Sequence, residues 1–169
     1  MVVGVLAALV LAGGCGSAAP PAADEPAIEP PPSPHAHLGG DETVVRQAYE
    51  RFWQVSQAVP HLPPDRQRLE LAAVAAEPLA ERMAGALAAQ RTRDVTVYGT
   101  VTPRISDVRL DGDTAVVRDC QDASRSGQAD GSGRPRTVGL ARNPVSATVQ
   151  RSADGAWRVA DVAYPGGSC

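Results

Sequence analysis

Two stretches near the C-terminus constrain the fold most: ISDVRLDGDTAVVRDC from Ile105 and SATVQRSADGAWRVADVAY from Ser146. Each sets an Asp-Gly dipeptide, Asp111-Gly112 or Asp154-Gly155, between two runs rich in β-branched residues. Glycine tolerates the positive φ of a tight hairpin turn, so both stretches predict antiparallel strand pairs. Ala147 and Val149 fall on one face of the incoming strand, and Trp157 and Val159 alternate on the outgoing one. Period-two alternation means one wet and one buried face, unlike the continuous apolar strands of a parallel α/β core.

Ahead of these strands the period changes. Val44, Ala48, Phe52, Val55 and Val59 recur at helical spacing, predicting an amphipathic helix that starts at an Asp41 N-cap and stops at Pro60. Tyr49, Phe52 and Trp53 make it the main supplier of core area. A second helix is expected from Asp65 to Ala76, with Leu69, Ala72, Ala73 and Ala76 inward. A third begins at Pro78, with Leu79, Met83 and Leu87 inward. Helices followed by four to six antiparallel strands give an α+β domain over residues 41–169, with the helices on one face of the sheet.

The first residues carry an address. From Met1 to Leu11 the chain is almost entirely apolar, short of the about 20 residues needed to span a bilayer but suited to the core of an export signal. Gly13 and Gly14 then precede Cys15, and this arrangement resembles a bacterial lipoprotein signal, although Ala12 stands where that pattern usually has Leu. The resemblance implies acylation of Cys15 and a lipid-anchored location on the extracytoplasmic face of the membrane. Residues 16–40 are dense in proline and lack any hydrophobic period, which predicts a disordered tether that could reach about 70 Å if extended. If Cys15 is acylated, Cys120 and Cys169 are left, and an oxidising compartment favours their pairing.

The chemistry is sparse. All sixteen basic residues are arginine, which excludes Schiff-base chemistry and a Walker-type lysine. The formal charge is −3 and the arginines are scattered along the sequence, which argues against a nucleic-acid partner. His35 and His37, in the tether, form an incomplete metal pair, and DASRSGQADGSG has Arg125 inside and Gly133 where a calcium loop needs Glu, so no metal or cofactor is expected. His61, between prolines, reads as a loop residue without a nucleophile beside it. Asp119 and Asp122, flanking Cys120, are candidates for ligand contact, and the connection from Gln121 to Arg136 is the candidate contact surface.

The ETVVRQAYERFWQV helix, the DVRLDGDTAVVRDC hairpin and the final DGAWRVADVAY pair together resemble the nuclear transport factor 2-like (cystatin-like) superfamily, and in particular small actinobacterial lipoproteins. The resemblance covers residues 41–169 and implies a curved sheet wrapped around the first helix as a cone, often with a ligand pocket. Pocket candidates are Tyr49, Phe52, Trp53, Tyr98, Asp119 and Trp157. Two functions follow: a non-catalytic envelope module binding a protein or a small apolar ligand, or a cone-pocket isomerase, dehydratase or cyclase. A buried carboxylate facing a tyrosine hydroxyl would favour the enzyme; an apolar pocket without such a pair would favour the binder.

Overall fold

The protein is described by a computed structural model covering residues 34–169. Cys15 and residues 16–33 of the expected tether lie outside these residues, whereas its end, residues 34–40, is helical rather than disordered. Three helices come first: α1 (Pro34–Ala58), α2 (Pro64–Val74) and α3 (Glu77–Thr92). Five strands follow: β1 (Val95–Thr102), β2 (Ile105–Asp111), β3 (Thr114–Asp130), β4 (Asn143–Arg151) and β5 (Trp157–Ala163). The strands form one antiparallel, strongly curled sheet, a half-barrel against which the helices pack, so the domain is α+β.

The long strand β3 organises the sheet. Its first half pairs with β2 on one edge and β4 on the other, and its second half pairs with β1. The edge shared by β1 and β2 turns at Pro103-Arg104, where proline cannot donate to a ladder and the register shifts. Both Asp-Gly hairpins form, with Gly112 at φ 56° and Gly155 at φ 81°. The second closes through Ser152 N–H to Ala156 O and Gly155 N–H to Ser152 O, each 2.8 Å.

The inner face is lined by Ala115, Val117, Val145, Ala147, Val149, Trp157 and Val159, all buried as the alternation requires. The helical expectations need three corrections. First, α1 begins at Pro34, so Asp41 lies within the helix, and its carboxylate pairs with Arg151 at 2.9 Å. Second, the inward stripe of α1 is Val45, Tyr49, Phe52 and Trp53, continued by the buried Val59 just past its end, while Val44 is exposed. Phe52 and Val59 are buried as expected, and burying the large rings of Tyr49 and Trp53 as well leaves Ala48 and Val55 only partly packed against the core. Third, α2 turns Leu71 and Val74 inward and leaves Leu69 64% exposed. Its register is fixed from both ends, by Gln67 Nε2 donating to Leu62 O at 2.9 Å and by Ala76 N–H donating to Val159 O at 2.8 Å. In α3, Leu79 is buried, and Met83 and Leu87 pack partly against the core.

Cys120 and Cys169 form a disulfide, with Cα atoms 5.7 Å apart and a sequence separation of 49. It ties the tail beyond β5 to the centre of the sheet.

Candidate functional site

Among the described residues, three buried polar side chains interrupt the core, namely Gln67, Asp119 and Gln121. The last two follow from β3 alternation: Ala115, Val117, Asp119 and Gln121 share the inner face, whereas Cys120 belongs to the other. On α1, the inward stripe brings Tyr49 opposite them. The Tyr49 hydroxyl donates to Asp119 Oδ2 at 2.8 Å, and the Arg104 N–H, at the Pro103-Arg104 corner, donates to Asp119 Oδ1 at 2.6 Å. Burial pushes the Asp119 carboxyl above the usual carboxylate range, opposed by the bonds from Arg104 and Tyr49 and by the Arg104 charge. Burial, and then the Asp119 charge, also drive the Tyr49 phenol well above its ordinary value. The Trp53 indole acts in the opposite direction, although its Nε1–H makes no hydrogen bond of normal geometry.

The buried carboxylate facing a tyrosine hydroxyl is therefore present. Its surroundings are those of a structural bolt: Tyr49 is 0% and Asp119 4% exposed, and each carboxylate oxygen already accepts a bond.

A groove lies instead between the C-terminal half of α1 and the β1–β3 pair, with a volume of about 280 Å³. Trp53, Val97 and Val101 give it an apolar wall, and Gly99 and Gly127 bring the strand backbones close beneath. A Cβ at Gly99 would collide with Arg125 O, and one at Gly127 with Thr137 O, so glycine permits this approach. The polar lining is mostly spoken for. Gln57 donates to Trp53 O at 2.9 Å and Val101 O at 3.1 Å and accepts from Val101 N–H at 2.8 Å, while the Tyr98 hydroxyl donates to Thr137 O at 2.8 Å. Ser56 Oγ and Trp53 Nε1 are buried with no hydrogen-bond partner.

The pocket candidates thus separate. Trp53 and Tyr98 line the groove, and Tyr49, Phe52 and Asp119 fill the core. Trp157 borders a more open, mixed-polarity depression of about 570 Å³ beside Arg51 and Gln54, with the Arg151 guanidinium 4.6 Å above its ring. Asp122 lines neither of these cavities; it pairs with Arg104 at 2.6 Å. His61, read from sequence as a loop residue, is exposed at the edge of the groove. Sequence reasoning missed His61, Ser56 and Gln57 as lining residues because only the packing of α1 across β1 brings them together. Among the described residues, no group of three His, Cys, Asp or Glu could hold a metal ion. No helix of these residues is long and apolar enough to cross a membrane.

No protein-family model matches the sequence, and no curated protein does. The fold is similar to a crystal structure of the intermembrane space region of chloroplast protein ARC6, with a TM-score of 0.53 and 13% identity over 75% of this chain and 94% of that one. A conserved protein from Planctomyces limnophilus DSM 3776 is more distant, with a TM-score of 0.46 and 14% identity over 73% of this chain and 94% of that one. The first likeness supports a domain of helices packed in a curled sheet.

Proposed function

We propose that the protein is a lipid-anchored envelope module, acylated at Cys15 and extended on its proline-rich tether. Its cone of the nuclear transport factor 2-like kind binds a small apolar molecule without transforming it. The observation that carries this reading is the separation of groove from chemistry. The groove beside Trp53 is apolar and its polar groups are largely bonded within the protein, whereas the buried ionisable pair Tyr49–Asp119 lies outside its lining. Ligand sites of this sort are apolar clefts with few polar handles. Ser56 supplies one here, because a turn of its side chain would bring the unpartnered hydroxyl to a ligand acceptor.

Binding of an anilinonaphthalene sulfonate probe tests it. The folded protein should bind near Trp53, and Val97→Trp, which fills the groove, should abolish binding. Equal binding by both proteins contradicts the reading.

One observation favours the alternative, a cone-pocket isomerase, dehydratase or cyclase: the Tyr49–Asp119 pair itself. That reading requires Asp119→Asn to abolish a turnover that Val97→Trp also blocks. The binding reading requires Asp119→Asn to affect stability while leaving probe binding in the folded fraction intact.

A further inference from the structure

After β3 the chain turns at Gly131–Gly133 and runs back along the edge of β3 not taken by β1. Arg136 N–H and Thr137 N–H donate to Gln128 O, Gly139 N–H donates to Ser126 O, and Leu140 O accepts from Ala123 N–H. The sequence reading placed a loop from Gln121 to Arg136, but β3 continues to Asp130, and the connection is this paired return segment. Arg134, Arg136, Val138, Leu140 and Arg142 along it are all exposed, Val138 at 66% and Leu140 at 59%, as is most of the segment. Arg125, on the adjoining strand, is exposed as well. Among the described residues, Arg125, Arg134, Arg136 and Arg142 form no close ion pair, as is also true of Arg51, Arg68, Arg91, Arg93 and Arg118, although Asp122 feels the charge of Arg125 and Asp130 that of Arg136. Three arginines of segment 134–142, with Arg125 on the adjoining strand, thus accompany two bare aliphatic side chains, in a chain whose net charge is −3.

We infer that the segment 134–142 docks on an anionic lipid surface, with Val138 and Leu140 entering the interface and the four arginines meeting the headgroups. Interfacial binding needs apolar side chains for the acyl boundary and cationic side chains around them, and this patch provides both. A soluble acidic partner would use the charge but has less use for two aliphatic side chains at the centre. The inference leans on the proposed anchor only for bringing the domain beside a bilayer. Docked in this way, the domain would lie against the membrane rather than stand off on its tether.

Hydrogen exchange of the full chain, free and with vesicles of phosphatidylglycerol or phosphatidylcholine, tests the docking. The amides of Val138, Leu140 and Arg142 should exchange more slowly on phosphatidylglycerol alone. The protection should fade with salt. It should be lost in V138D/L140D and in R134E/R136E/R142E, the latter lowering partitioning by about a hundredfold at about fivefold per arginine. Both variants should retain the Cys120–Cys169 disulfide and protected β3 amides, which shows that they fold. Unchanged exchange on phosphatidylglycerol overturns the inference, as does protection by soluble polyglutamate but not by vesicles, which would assign the patch to an acidic protein. Sedimentation with phosphatidylcholine vesicles reports the anchor separately, so an unanchored chain still gives a clear answer on docking.

Discussion

The Tyr49 hydroxyl and Asp119 Oδ2 meet at 2.8 Å across 70 positions of sequence, joining the middle of α1 to the middle of β3. Both groups are buried, so the Tyr49 hydroxyl depends on Asp119, and the Asp119 carboxylate on Tyr49 and the Arg104 N–H, in place of water. The pair fixes the rotation of α1 and hence which face of the helix borders the groove.

Removing the phenol should expose this dependence. Tyr49→Phe leaves a buried carboxylate oxygen without a donor and should cost about 1–3 kcal/mol in denaturant unfolding. Asp119→Ala strands both the Tyr49 hydroxyl and the Arg104 N–H, and should cost more. If the costs of the two changes add in the double mutant, the coupling is absent.

The same pair sets a pH dependence. Asp119 has a folded pKa above its ordinary value of 3.8, so the native state holds the proton more tightly than the unfolded chain. Its contribution to stability is full below 3.8 and is lost as pH rises through the folded value. Stability of the wild type should therefore decline over that window, and Asp119→Asn should flatten the slope. Tyr49 adds a second decline with the same sign above 10, where the unfolded phenol ionises first, and Tyr49→Phe should remove it.

The disulfide contributes through the unfolded state. Its sequence separation of 49 implies that Cys169→Ser or reduction costs up to about 4 kcal/mol if chain entropy dominates. Non-reducing peptide maps should recover the two cysteines joined, and thermal melts of the reduced protein should fall by several degrees.

Two glycines give a controlled comparison. Gly155 has φ 81° with open space around its missing side chain, so Gly155→Ala should cost only the roughly 1–2 kcal/mol of the left-handed backbone. Gly99 has φ 76°, and a Cβ there would strike the Arg125 carbonyl, so Gly99→Ala should cost more, by at least about 1 kcal/mol, and should distort the groove. Equal destabilisation of the two variants would show that β1 does not sit so close to β3.

Much of the architecture was legible in the sequence because strand alternation is a strong signal. Ala147, Val149, Trp157 and Val159 are all buried, and both Asp-Gly turns lie where expected. The helices were harder to read. In an alanine-rich segment many stripes look equally apolar, and contacts such as Gln67 with Leu62 decide which one turns inward. The second half of β3 went unseen because DASRSGQAD lacks β-branched residues, and its pairing is imposed by β1 and the return segment. Of the candidate site, Trp53 and Tyr98 were readable as aromatics near the core. Their meeting across α1 and β1 is tertiary, as is the private bond that removes Asp119 from the groove.

Native mass spectrometry of the protein purified from its native source tests the binding claim most directly. A small apolar molecule should be retained at one per chain, lost in Val97→Trp and kept in Val138→Asp. Wild-type protein that is empty under conditions preserving its disulfide, or a ligand equally retained by Val97→Trp, would contradict the claim.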